Sequence, residues 1–512
     1  MADRRLTKPR SAPHQSTAWL ALSAICVLLL AGCANRPRSI TEDRLGKLDE
    51  IQVDFTVSPN GLRYAYITKR GGAPRIIIDG EVGPDYADVV KGSLTFSPDS
   101  SRFLYAATDG DRFFVVADGE EGERFDAVTG PRPRFSPDAR RLAYVAGREG
   151  GLCVVVDSAV GPRYDAILDL CFSPDGKRTA YVGVRDGLPR VAIDHKPDEP
   201  YDGTGVDSLR FSPDSRHVSY AAEKGDRWFV VVDGDESMPV DALGSVWRWS
   251  PDGTRLAYTF DLNGHHDIGV ASPVGEVPTP TDVDYDTVLD DSITFSPGGA
   301  ALAFVVKLPK GRSVVTHREA GPVYDTIDPL SLTFSDDGEH FAYVAERDAM
   351  DRVVLDGQEG PEYDNILGLR FRPGSDQVGY VAARGKLAYV VIGDIEGEPC
   401  EGVLPDGVVF SPDGQRVGYG ARLYSKWAII LDGKQRTEHV EMRDGSLTWS
   451  ADSAHFAYIA EGPEGSRVVL DAQPGPIYGS IAPGGPTFAP DGSVQYVTYI
   501  GDVVYRITQS PS

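Results

Sequence analysis

From about residue 45 onward the chain repeats one pattern of apolar and polar positions. Residues 135–167 show it plainly: an apolar anchor in Phe135-Ser136-Pro137-Asp138, an alternating run Arg141-Leu142-Ala143-Tyr144-Val145, a β-branched run Cys153-Val154-Val155-Val156-Asp157, and Gly161-Pro162-Arg163-Tyr164-Asp165-Ala166-Ile167. Short runs of this kind bounded by turn residues predict four strands per unit. The anchor recurs at Val57, Phe96, Phe135, Phe172, Phe211, Trp249, Phe295, Phe334, Phe371, Phe410, Trp449 and Phe488. Ser-Pro-Asp-Gly after the anchor suits a type I turn: Pro presets φ, Asp tolerates the bridge conformation and Gly closes. The first two strands of each unit are therefore expected to form a tight hairpin.

A second aromatic follows each anchor by nine residues in all but the last unit, from Tyr66 and Tyr105 to Tyr419 and Tyr458. Fixed placement across a hairpin puts these rings at one point of every sheet, where they can pack between neighbouring sheets. Asp79, Asp118, Asp157, Asp194, Asp233, Asp356, Asp432 and Asp471 end the third strand and read as turn caps.

Four-stranded units of about 39 residues, none able to bury its own faces, predict an all-β chain of β-propeller blades. The anchor intervals are 39, 39, 37, 39, 38, 46, 39, 37, 39, 39 and 39 residues. The long sixth interval holds the proline-rich stretch Ala271-Ser272-Pro273-Val274-Gly275-Glu276-Val277-Pro278-Thr279-Pro280-Thr281, the composition of a linker. Two tandem six-bladed propellers follow as the expected architecture, each closing on its own ends, with a single ring of twelve repeats or a seven-plus-five division as the alternatives. The expected segments are 33–44 as a tether, 45–272 and 284–508 as propellers, 273–283 as linker and 509–512 as tail.

Phe172-Ser173-Pro174-Asp175-Gly176-Lys177-Arg178-Thr179-Ala180-Tyr181 and Trp249-Ser250-Pro251-Asp252-Gly253-Thr254-Arg255-Leu256-Ala257-Tyr258 resemble the WD40-like (PD40) propeller repeat of TolB and related periplasmic proteins. The resemblance covers roughly residues 45–508 and implies fold, because the matched residues are scaffold. The α/β domain that precedes the TolB propeller has no counterpart after Cys33, so TolB's own activity is not implied.

The N-terminus changes the picture. Arg4, Arg5, Lys8 and Arg10 precede the apolar run Ala18–Ala31, the charge order of a secretory signal and too short to span a bilayer as a helix. Its end, Leu30-Ala31-Gly32-Cys33, resembles the lipobox of bacterial lipoproteins. That resemblance implies a signal peptide at 1–32 and a diacylglycerol on Cys33; with Ala34 next, it implies sorting to the outer membrane of a two-membrane host. Loss of the signal removes four basic and one acidic residue, leaving 47 basic against 75 acidic and a net charge of −28. Such a surface repels phosphate backbones, so nucleic acid is disfavoured as a partner and membrane attachment falls to the lipid.

Candidate chemistry is sparse. GxSxG, HExxH, P-loop and CxxC signatures do not occur, so no catalytic residue, metal or cofactor is assigned. Cys153, Cys171 and Cys400 suit buried apolar roles better than disulfides. The acidic stretch Asp282, Asp284, Asp286, Asp290, Asp291 fits a strand better than a calcium loop, and His265-His266-Asp267 fits an exposed loop better than a metal site. The position before the anchor, Thr in six units, is Arg134, Arg210, Arg248 and Arg370 in four others. On an innermost strand these guanidinium groups become candidate contacts for an acidic ligand or partner, against pairing with an aspartate of the next blade. The function expected from these features is a non-catalytic, lipid-anchored envelope scaffold that binds another envelope protein. A propeller hydrolase or lyase, or a small-ligand sensor, with its site at a channel mouth, is the alternative.

Overall fold

The serine of the turn explains why the hairpin closes in ten of the twelve units. In unit three Ser136 is fully buried; its Oγ accepts the Arg141 N–H at 2.9 Å and donates to Asp138 Oδ1 at 2.6 Å, while the Ala139 N–H reaches the Ser136 carbonyl at 2.9 Å. The buried hydroxyl thus satisfies groups that the turn would otherwise orphan. The fourth turn position has positive φ, 73° at Gly176 and 68° at Gly414. At Gly414 a Cβ would come within 2.2 Å of the Pro373 carbonyl oxygen of the preceding unit, so the position is doubly restricted there.

The computed structural model describes residues 39–47, 53–69, 72–205, 207–273, 285–316, 319–501 and 503–511. Their regular structure is strand, apart from two short 3-10 turns at Asp290–Ser292 and Pro329–Ser331. Blade three is a four-stranded sheet ordered Ala127–Phe135, Leu142–Arg148, Gly151–Val156, Ala159–Tyr164. Its central pair runs antiparallel from Ala143↔Val156 to Arg148↔Gly151. The aspartate after the third strand sits in the left-handed region, and its Oδ1 accepts the N–H that opens the second strand, as in Leu142 to Asp157 at 3.1 Å. The fold is an all-β propeller of repeated four-stranded blades.

Blades are joined by a recurrent arginine clasp. Arg102 donates to Asp118 Oδ2 of its own blade at 2.7 Å and to the Ala139 and Arg140 carbonyls of the next blade at 2.9 and 3.1 Å, with its guanidinium 5.0 Å from the centroid of the Phe135 anchor. Arg63, Arg141, Arg178 and Arg416 repeat the arrangement. Planarity and a fork of donors let one guanidinium bond two blades while stacking on a ring. The second aromatics pack at the same junctions: Tyr86 meets Tyr105, Tyr201 meets Tyr220 and Tyr363 meets Tyr380 edge-on at centroid distances of 5.9, 5.9 and 6.2 Å.

Strand pairing supports the single ring, not two rings of six. The strand Ile40–Lys47 pairs antiparallel with Val503–Gln509, from Ile40↔Gln509 to Lys47↔Val503, and so supplies the outer strand of blade twelve. It carries the right side chains for that place. Tyr201, Tyr324 and Tyr363 donate to Glu236, Glu359 and Glu396 on the outer strand of the following blade, and Tyr478 donates in the same way to Glu42 at 3.1 Å. Leu45 then packs with Tyr66 and Ile77 of blade one and Val497 and Val504 of blade twelve.

Blade six packs on blade seven with the contacts of the other junctions, and the parallel bridge His266↔Thr287 also joins their sheets. Ala257 and Ile268 share a buried cluster with Val288, Phe295 and Phe304. Arg255 lies 5.4 Å from the Phe295 centroid and donates to the Gly299 carbonyl. The buried side chains form twelve clusters, one for each junction around the circle, and residues 37–512 form one compact unit. Two rings would need blade six to close on blade one, whereas it packs on blade seven. The expected strand near residues 48–51, most of the 273–283 linker and the whole 1–32 signal with Cys33 lie outside the described residues. The closing strand occupies residues 40–44 of the expected tether.

Candidate functional site

The innermost strands position the irregular arginines, each one residue before its anchor. Arg134 is half-buried and donates to the Leu170 carbonyl of the next blade at 2.8 Å; Arg248 donates to the Ile293 carbonyl and Arg370 to the Asp406 carbonyl, the last at 3.3 Å. Arg210 is exposed and reaches only the Asp207 carbonyl of its own blade, at 3.5 Å. Pairing with a repeat aspartate of the adjacent blade, the structural alternative, is replaced by bonds to backbone carbonyls. Each guanidinium has five N–H donors, so these bonds leave most of that capacity free at the inner wall.

No hydrogen bond joins any two of these four arginines among the described residues. A carboxylate links two of them electrostatically. Asp169, on the inner strand of blade four, is held above the ordinary carboxylate range by burial, while Arg134 and, more weakly, Arg210 pull it down. Asp406 is likewise raised by burial, with Arg370 opposing; its Oδ2 is buried without a partner while Oδ1 accepts the Gly445 N–H. Blades three to five and nine to ten therefore each present arginine near a half-buried carboxylate.

The seam between blades six and seven holds a cluster that the sequence reading dismissed. His265–Ala271 is a strand, not an exposed loop. His266 lies with Nδ1 2.7 Å from Asp261 Oδ1 and Nε2 2.8 Å from Asp290 Oδ1. Ser245 donates its N–H at 3.2 Å, and also its hydroxyl, to Asp290 Oδ2. Burial works against the imidazolium, but hydrogen bonds to Asp290 and Asp261 outweigh it, and the histidine is raised above its ordinary value. The serine hydroxyl is held by the carboxylate and not by the imidazole, which is the wrong order for activating a nucleophile. The cluster is an ion-paired clasp across the seam. One signal pointed to it: Asn263-Gly264 is a two-residue hairpin turn, which sets Asp261 opposite His266.

The remaining candidates are structural. Asp165, Asp325 and Asp364, each following a tyrosine, accept N–H groups of the hairpin turn at 2.8, 2.8 and 2.5 Å. Asp286 precedes the short strand Thr287–Val288, while Asp282 and Asp284 lie outside the described residues. Cys153 and Cys400 are buried; Cys171 is partly buried and its thiol is pushed up to about 12, chiefly by burial. Among the described residues no group of three or more His, Cys, Asp or Glu is arranged to hold a metal ion.

No family model and no curated protein matches the chain. Solved structures with similar strands include a eukaryotic initiation factor, 13% identical over 74% of this chain and 96% of that one, with a TM-score of 0.33. TolB from Acinetobacter baumannii is 14% identical over 60% of this chain and 80% of its own, with a TM-score of 0.23. A putative TolB from Agrobacterium tumefaciens is 19% identical over 40% and 84%, with a TM-score of 0.21. Likenesses this distant carry no functional conclusion, and the fold rests on the strand pairing itself.

Proposed function

We propose that this chain is an exported, lipid-anchored propeller scaffold of the cell envelope, tethered through Cys33 and binding a partner protein at its inner wall. The observation that carries the reading is the set of arginines at positions 134, 210, 248 and 370, which interrupt a threonine pattern on the innermost strands and keep unused donors there. In a chain with 25 more acidic than basic residues, a local cationic wall selects an acidic segment of a partner. Most recurrent polar side chains, by contrast, are engaged in turns and junctions.

Two measurements test it. Cells fed an alkyne-tagged fatty acid should label the wild type and not Cys33→Ala, which should leave the membrane fraction. Crosslinking in intact cells should recover a partner with the wild type and markedly less with Arg210→Ala/Arg248→Ala at an unchanged unfolding midpoint. Labelling that persists in Cys33→Ala, or capture that falls only in step with stability, refutes the corresponding half of the reading.

A further inference from the structure

Seven junctions among the described residues carry a tyrosine at the end of the earlier blade, and six of these hydroxyls have a hydrogen-bond partner. Tyr86 meets Tyr105, Tyr285 meets Asp267, and Tyr201, Tyr324, Tyr363 and Tyr478 each meet an outer-strand glutamate. Tyr164, between blades three and four, is the exception: it is 2% exposed, and its hydroxyl has no partner among the described residues. A buried hydroxyl in that state is disfavoured, because nothing replaces the water it gave up.

The junction between blades seven and eight shows what is missing. There Glu359 accepts from Tyr324 at 3.0 Å, from Arg347 at 2.8 Å and from Arg352 at 3.0 Å, and Arg352 also pairs with Glu362 at 3.1 Å. At the same separations from its anchor, blade four keeps both arginines, as Arg185 and Arg190, and has Pro197 and Pro200 for the two glutamates. The donors remain and the acceptors are gone. Arg190 pairs across the ladder with Gly183, on which a Cβ would come within 2.4 Å of the Tyr164 ring, so that ring lies over the pair. The Arg190 guanidinium makes no hydrogen bond or ion pair among the described residues, and its Nε is buried. Arg185 has its guanidinium carbon 5.1 Å from the Tyr164 centroid and turns Nε and Nη2 to the Arg163 carbonyl, at 3.1 and 2.6 Å. His195, where blade eight has Gly357, adds another buried atom without a partner, Nε2, while its Nδ1 lies 3.3 Å from the Tyr181 hydroxyl. Pro197 is exposed, and the Glu359 side chain in the corresponding place is 30% exposed, so the position opens to the rim.

We propose that the junction between blades three and four binds a carboxylate on a short aliphatic chain, in the place that Glu359 fills between blades seven and eight. One oxygen accepts from the Tyr164 hydroxyl and Arg185 and the other from Arg190, as the oxygens of Glu359 accept from Tyr324, Arg347 and Arg352. An ionised carboxylate offers about four lone-pair sites and no donor, and its bonds to guanidinium groups are stronger than neutral ones. The site is separate from the inner-wall arginines and does not depend on their binding a partner. A free small acid and the glutamate side chain of a partner share this chemistry.

The test is isothermal titration of the purified protein at constant ionic strength with propionate and with N-acetylglutamate α-amide. Propionamide is the uncharged control and inorganic phosphate the competing anion. One saturable site per chain is expected for the two carboxylates and none for propionamide. Pro197→Glu returns the missing carboxylate to the chain, so it should weaken propionate binding at least tenfold and raise the urea midpoint measured without ligand. Tyr164→Phe/Arg190→Met should weaken binding similarly and serves if the first variant fails to fold. Tighter binding of propionate identifies a free acid as the source, and tighter binding of the glutamate derivative identifies a partner's side chain. Equal binding by wild type and both variants, absence of a saturable site, or tighter binding of phosphate than of either carboxylate overturns the proposal.

Discussion

Thr41 and Thr508 are directly paired in the ladder that closes the ring. Antiparallel partners have Cα atoms about 4.5–5.5 Å apart, inside the span of about 4.4–6.8 Å that a disulfide bridges. Thr41→Cys/Thr508→Cys should therefore oxidise within one chain. The bridge closes a loop of about 467 residues, for which chain entropy sets a ceiling near 6 kcal/mol of stabilisation, and engineered bridges commonly deliver less. The assay has two readings: faster migration of the monomer on a non-reducing denaturing gel, and a urea midpoint that rises on oxidation and returns with reductant. Single-cysteine variants control for Cys153, Cys171 and Cys400. In two separate six-bladed rings residues 41 and 508 belong to different bodies. A folded double variant that stays reduced under oxidant, or crosslinks only between chains, would refute closure through these strands.

Three further outcomes follow from the junctions and turns. Leu45→Ala removes a buried side chain shared by blades twelve and one and should cost about 2–4 kcal/mol in urea unfolding, with early proteolysis near residue 47; a cost near zero would place the closing strand elsewhere. Arg102→Ala should cost about 1–2 kcal/mol, and Arg102→His less, because His217, His340 and His455 already meet Asp233, Asp356 and Asp471 in that role. Equal losses for the two variants would deny the side chain its bond to Asp118. His266 has a folded pKa raised above the unfolded value of about 6.5, so its contribution is full below that value and is lost as pH rises through the folded pKa. The urea midpoint of the wild type, measured against His266→Gln, should fall across that window, and a constant difference would show that the clasp does not titrate.

The blade was legible because everything that makes it is local. Ser136, Pro137 and Asp138 act within one turn, Tyr144 sits a fixed distance on, and Asp157 caps a strand within the same unit, so a repeat of 39 residues suffices to see them. Ring closure was not legible because it depends on which distant strands meet. The sixth interval has linker composition, yet Arg255 reaches Gly299 across it as Arg178 reaches Arg216 across an ordinary one. The irregular arginines stood out by position, while their partners are backbone carbonyls, which have no sequence signature. The His266 clasp combines a readable hairpin pairing to Asp261 with a partner in the next blade, Asp290, that only the junction brings near.

A closed ring of near-identical blades constrains where binding can arise. Most recurrent polar groups are answered by a recurrent partner: serine within its own turn, arginine by the aspartate of its blade and the carbonyls of the next, and four tyrosines by an outer-strand glutamate of the following blade. A group of that kind has no capacity left for a ligand, and altering it destabilises a junction. Capacity appears where the repeat is broken. Arginine at 134, 210, 248 and 370, where six other units carry threonine, brings more donors than the neighbouring carbonyl can accept. These are single-residue departures that leave the blade's packing intact, which is how a repeat scaffold gains a local site without losing its closure.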